Sequence, residues 1–205
     1  MSNQPQIEQK IGASFKGSID AKQATWQTEK QKITKAANLM FSAISTGNKI
    51  MSCGNGGSAA DSQHFVAELV NRFEMERDPL AAISLTTDTS ILTSVSNDYS
   101  YNEIFSKQVQ ALGKKGDILV AISTSGNSAN ILEAVKAAKK KGITVVFLTG
   151  ATKGSIGSIL TPSDIIINVQ AKVTARIQET HILIIHCLCQ ALDLQILYTK
   201  EEQYA

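Results

Sequence analysis

His64 and Glu68 stand four residues apart in "CGNGGSAADSQHFVAELVNRF", residues 53–73. On a helix that spacing puts an imidazole and a carboxylate on one face. Such a pair can hold a metal ion or move a proton. Phe65, Leu69 and Phe73 form the neighbouring apolar stripe, so the pair lies at its margin. A surface or structural ion pair is the plain alternative. Directly before this helix runs "GNGGS", Gly54 to Ser58. Its glycines let a ligand approach the main chain, and the N–H groups of the helix behind them favour negative charge. The loop is neither a Walker A loop, since no lysine follows, nor a dinucleotide GxGxxG. Read alone, it could also be only a tight turn.

A second loop of the same kind is "STSGNS", Ser123 to Ser128. Ser128 is placed to cap the following helix. Capping does not account for Ser123, Thr124 and Ser125 as well. Hydroxyls and free N–H groups without a cation suit a phosphomonoester at a helix N-terminus. The third polar group interrupts an apolar helix, "RIQETHILIIHCLCQAL", where Gln178, His181 and His186 each need a partner once buried. A histidine satisfied by a core hydrogen bond is the plain reading of either imidazole. Spacing alone does not choose between His181 and His186.

These residues have to be positioned by the elements around them. Residues 5–46 carry only helical patterns, with Trp26, Ile33, Ala37, Met40 and Phe41 spaced for one face. Short apolar runs then alternate with helical stretches. Strands are expected at 49–53, 80–85, 117–123, 144–149 and 164–169. Helices are expected to about Phe73, over 88–96 and 102–112 with "SNDYS" between them, after "TSGNS", and over 174–198. The alternation implies an α/β fold: an open five-stranded parallel sheet, doubly wound, with helices on both faces and an N-terminal helical arm. Ligands of such a sheet bind beyond the carboxyl ends of its strands. We read residues 1–205 as a single domain, with the arm at about 5–46 and the sheet core at about 47–205. "ILII" at 182–185 is apolar all round its helix, which predicts burial on several sides, most simply between subunits.

Composition narrows the function. The 205 residues are 43% hydrophobic and 19% charged, as in a globular protein. A formal net charge of +2, with no basic run longer than Lys139 to Lys141, argues against direct nucleic-acid binding. No stretch of about eighteen apolar residues is read, so no membrane span is expected. The polar start "MSNQPQIEQK" has no apolar signal core. Cys53, Cys187 and Cys189 lack the pattern of a disulfide framework and read as small buried hydrophobes in a reducing cytoplasm.

"GNGGS" and "STSGNS", each after an apolar strand, resemble the sugar isomerase (SIS) domain, a flavodoxin-like phosphosugar-binding fold. "QHF", "SND" and "RIQE" resemble its phosphoheptose isomerase branch, with similarity over about residues 30–198. The resemblance implies a zinc ion held by His64, Glu68, Gln178 and His186, with Glu68 and His186 as the acid–base pair. It places the phosphate in Ser123, Thr124, Ser125 and Ser128. Asn55, Gly56, Gly57, Ser58, Asn97, Asp98, Glu68 and Gln178 then contact the sugar. The implied reaction converts sedoheptulose 7-phosphate to a glycero-manno-heptose 7-phosphate through an enediol, supplying lipopolysaccharide heptose in the cytoplasm. The fold's relatives suggest a tetramer. Eight residues rise about 12 Å along a helix, so Gln178 and His186 meet one ion only by leaning together or by coming from different subunits. We expect one pocket at a subunit boundary, roofed by the C-terminal helix.

A second branch is also similar. "SAADSQHF", "NRFEMERDPLAAISL", "KQVQALG" and "HCLCQALD" resemble the DnaA initiator-associating protein, a non-catalytic tetrameric regulator of replication, and Ala59 stands where the isomerase pattern usually has a histidine. That regulator lacks counterparts of Glu68 and His186, both present here. DnaA is a partner only under this alternative.

Overall fold

The sheet is built from five short strands whose side chains are apolar on both faces. The computed structural model describes residues 3–204. Strands β1 (Ile50–Cys53), β2 (Ala82–Ser84), β3 (Ile118–Ser123), β4 (Thr144–Thr149) and β5 (Ile165–Asn168) lie in the order β2-β1-β3-β4-β5. All pairings are parallel, with Cys53 opposite Ala121 and Ser123 opposite Thr149. Period-two alternation assigns each strand residue to one of two cores. Ile50, Val120, Ile122, Val146 and Leu148 belong to one cluster with the N-terminal, second and C-terminal helices. Met51, Cys53, Leu119, Ala121, Val145 and Phe147 belong to the other. Burying each Val, Leu, Ile, Met or Phe among them stabilises the fold by about 1.5–3 kcal/mol.

The helices are α1 (Gln4–Ser45), α2 (Gly57–Val70), α3 (Thr89–Asp98), α4 (Ser106–Leu112), α5 (Ala129–Lys140), α6 (Gly154–Ser158) and α7 (Thr174–Tyr204). A 3-10 turn covers Tyr101–Glu103. α1, α2 and α7 share one face of the sheet, and α4 and α5 pack on the other. Small residues let α1 approach α7: Ala36, Ala37 and Ala43 are buried beside Met40. The chain leaves β1 toward β2 on one side and continues from β3 through β4 to β5 on the other. The switch point therefore falls between β1 and β3, the two strands that end in the polar loops.

The architecture is the α/β sheet with a helical arm that the periodicity predicts. Some details differ. Trp26 points outward and is 59% exposed, because α1 carries a second apolar stripe beside the one packed on α7. Cys187 is exposed, whereas Cys53 and Cys189 are buried as expected. Residues 96–98 complete α3 instead of separating two helices, and α6 was not anticipated. The span 174–199 of α7 is, by length and mean hydropathy of 1.6, apolar enough to cross a membrane, which the composition reading missed. About 33% of that apolar stretch is buried, packed on α1, α2 and the sheet core.

One buried carboxylate pins β1 to β3. Asp117, fully buried, accepts hydrogen bonds from the Lys49 N–H (3.0 Å), the Lys114 N–H (2.8 Å) and Lys49 Nζ (2.6 Å). Asp117→Ala would strand Lys49 and two amides. We expect it to lower unfolding free energy by about 3–5 kcal/mol in denaturant titrations, with the m-value unchanged.

Candidate active site

The two polar loops leave the carboxyl ends of adjacent strands. Gly56 turns the first loop with φ +56°, in the left-handed region that favours glycine. Gly57 opens α2 directly against Gln178: a Cβ there would come within 2.5 Å of Gln178 Nε2, so that amide would have to move. The amide of Gln178 thus lies against the glycine loop. One residue earlier on α7, Ile177 reaches the other loops, since a Cβ on Gly150 would meet Thr124 O at 2.5 Å and Ile177 Cδ1 at 2.8 Å. The first turns of α7 therefore cross the ends of β1, β3 and β4.

Gly57, Asp61, His64 and Glu68 recur at helical spacing and share one face of α2. With Gln178 beside Gly57 and His186 beside His64, α2 and α7 run side by side in the same direction. His64 Nε2 lies 3.0 Å from His186 Nε2 and 3.2 Å from Glu68 Oε1. The His64 and His186 rings are tilted at 55° with centroids 5.1 Å apart, and Phe73 stacks on the His186 ring at 5.6 Å. His181 points elsewhere. It is fully buried, and its Nε2 bonds the Thr149 carbonyl at 3.1 Å at the end of β4. The choice that spacing left open is resolved by packing: His186 joins His64 and Glu68, and His181 does not.

Two ligands of a tetrahedral zinc ion, each about 2.0–2.1 Å from the metal, stand roughly 3.3 Å apart. The separations of 3.0 and 3.2 Å around His64 Nε2 are close to that spacing. Among the described residues, no three His, Cys, Asp or Glu side chains form a ready-made metal cluster. Here the His64 and His186 imidazoles bond each other. Nitrogen and carboxylate donors of this kind fit zinc. Gln178, at the Gly57 end of the stripe, is the outlying member of the four.

In the second loop, Ser123 and Ser128 pair through their hydroxyls at 2.9 Å. Ser128 occupies the N-cap position of α5, but its side chain makes no cap bond. The capping role expected for that hydroxyl is not observed. Ser125 folds back on its own turn, accepting from the Asn127 N–H at 3.2 Å. Asn55 does not present a free amide. It exchanges two 2.8 Å hydrogen bonds with Asn130 and accepts a 3.2 Å bond from the Tyr101 hydroxyl. This clasp ties the glycine loop to the start of α5. Ser58 is buried in the first turn of α2. Asn97 and Asp98 lie exposed in the last turn of α3, bonded to each other at 2.9 Å.

Asp61, Asn130 and Tyr101 were not singled out from sequence, and Phe73 was read only as part of the apolar stripe. Asp61 had a legible signal, its place four after Gly57 and three before His64 on the same stripe. Its Oδ2 is buried without a hydrogen-bond partner, and burial raises its pKa to about 6 against the opposing pull of His64. Two cavities of the chain lie elsewhere than the expected pocket. A 330 Å³ cavity beside α5 and a 430 Å³ cavity beside β5 both lie away from the histidines. His64, Glu68 and His186 stand on an open face.

Burial holds His181 neutral and lowers its pKa from 6.5 to about 4. Between these values the unfolded chain takes up a proton that the folded chain refuses. Stability from this group is therefore complete above about pH 6.5 and is lost as pH falls toward 4. We expect His181→Gln to remove up to about 3 kcal/mol of that acid-side loss, read from unfolding free energies at stepped pH.

Residues 15–150 match the SIS domain family. The chain is 52% identical to a phosphoheptose isomerase of Shewanella sp. (strain ANA-3) over 195 residues, covering 95% of this chain and 98% of the relative. Among solved structures, it resembles a phosphoheptose isomerase from Neisseria gonorrhoeae with TM-score 0.87 and 49% identity, covering 91% of this chain and 98% of that one. A phosphoheptose isomerase from Francisella tularensis gives TM-score 0.89 and 43% identity, with 95% and 100% covered.

Proposed function

This chain belongs to the phosphoheptose isomerases of the SIS-domain family, and from that premise we propose a residue-level mechanism. The substrate is sedoheptulose 7-phosphate, and the product is D-glycero-D-manno-heptose 7-phosphate for lipopolysaccharide synthesis. The observation that carries the reading is the meeting of Glu68 and His186 at a single atom, Nε2 of His64. The DnaA-associating alternative is not favoured, because the relatives reported above carry the isomerase name.

Ser123, Thr124, Ser125 and Ser128 receive the phosphate with the N–H groups at the start of α5. Main-chain N–H groups of Asn55 to Ser58 and the side chains of Asn97, Asp98 and Gln178 bind sugar hydroxyls. Glu68 takes the proton from C1 of the ketose, leaving an enediol. His186 moves the proton between the C1 and C2 oxygens, and the carbon proton returns to C2 to give the aldose. His64, Glu68, Gln178 and His186 would hold zinc, which supplies Lewis-acid polarisation of the substrate oxygens. Three free cysteines and a sugar-phosphate substrate support a cytoplasmic location.

The open face supports a homo-oligomer. Ile7, Ile11, Phe15 and Ile19 form an i, i+4 stripe on α1 in which each side chain is more than half exposed, and Leu183 and Leu194 are exposed on α7. Apolar surface in contiguous stripes marks an interface. We propose a tetramer whose assembly roofs the site, with neither nucleic acid nor membrane as a partner.

Zinc-loaded protein is expected to turn over sedoheptulose 7-phosphate, with chelation abolishing and zinc restoring activity. Glu68→Gln should lower kcat by about 10²–10⁴-fold while the sugar phosphate still binds in calorimetry. Metal-replete wild type that never isomerises this sugar but binds DnaA would overturn the reading. Separately, light scattering should find four chains in the wild type and fewer in the double variant Ile11→Glu, Phe15→Glu.

A further inference from the structure

The segment between α2 and β2, residues 71–81, links both members of the acid–base pair to one buried ion pair. Arg77 and Asp193 are buried, with Arg77 Nε donating to Asp193 Oδ1 at 2.7 Å. The rest of the guanidinium serves the end of α2. Nη2 donates to the Glu68 carbonyl at 2.8 Å and Nη1 to the Leu69 carbonyl at 2.9 Å and the Asp78 carbonyl at 3.2 Å. A cation at a helix C-terminus satisfies carbonyls that have no partner within the helix and complements the macrodipole. The other Asp193 oxygen accepts from the Glu74 N–H at 3.2 Å and the Met75 N–H at 3.4 Å. Those two amides directly follow Phe73, whose ring stacks on His186 with 25° between the planes. Asp193 stands seven residues after His186, two turns along the same face of α7.

One carboxylate thus holds the loop that presses Phe73 against His186, and its guanidinium partner grips the backbone of Glu68. We infer that Arg77, Asp193 and Phe73 are positioning residues that set the separation and ring orientation of Glu68 and His186 and make the donor set around His64 ready for its ion. This rests on the proposed roles of Glu68 and His186. A buried pair whose only task was stability would be replaceable by apolar residues of similar volume. Here each partner has further hydrogen bonds that end at the backbone of Glu68 or beside Phe73.

The test uses full-length protein bearing Phe73→Leu, Phe73→Tyr, Asp193→Asn or Arg77→Lys. For each, kcat and KM for sedoheptulose 7-phosphate are measured, together with the zinc dissociation constant of the metal-stripped chain by competition with a chelator. Phe73→Leu and Asp193→Asn are expected to lower kcat and weaken zinc binding by about 10–100-fold, with KM changed less than about threefold. Phe73→Tyr, which keeps the stacked ring, should recover most of both. Folded Phe73→Leu with wild-type kcat and zinc affinity would overturn the inference, whatever happens to melting temperature. If Asp193→Asn or Arg77→Lys does not fold, the half-buried Phe73 variants still decide. If wild type itself has no turnover, the proposed reaction falls, and the zinc measurements still test the positioning role.

Discussion

The parallel packing of α2 against α7 is the constraint on which the candidate site depends. Neither helix holds enough donors by itself. α2 supplies His64 and Glu68 from one turn, and α7 supplies His186 and Gln178 across two. Lying in the same direction, they match Gly57 to Gln178 at one end and His64 to His186 at the other. At the first contact, a side chain in place of the Gly57 hydrogen would displace the Gln178 amide from its position against the loop. Moving α7 by one residue would rotate its donors by about 100°, away from α2.

The sheet fixes where this pair of helices begins. β1 and β3 are adjacent and parallel, so their loops emerge side by side at the switch point. Asp117 sets the start of both strands, and the Asn55–Asn130 pair joins their far ends. The second of these loops carries serine hydroxyls, with no lysine or arginine among residues 123–128. A loop of this composition would hold an anion through directed dipoles rather than through a cation.

Much of the fold was legible because its strands are doubly buried and therefore continuously apolar, as in "ILVAIS" and "TVVFLT". The glycines and hydroxyls after β1 and β3 were legible for the same reason, as breaks in strong patterns. Choices set by tertiary packing were not. Nothing local distinguishes His181 from His186, because the difference is whether the ring meets β4 or α2. The Asn55–Asn130 pairing joins residues 75 apart. Trp26 shows the limit of helical periodicity, since α1 has two apolar stripes and spacing does not say which faces its own core. Hydropathy marked 182–185 of α7 as apolar all round but did not say which side chains face the chain's own core: Ile184 and Ile185 are buried, whereas Leu183 is exposed.

The clasp between Asn55 and Asn130 has a geometric consequence. Both asparagines spend their carboxamides on each other, and Tyr101 adds a third tie, before any ligand arrives. The gap between the two loops is consequently a fixed calliper. The span between the jaws is therefore set by the protein's own carboxamides.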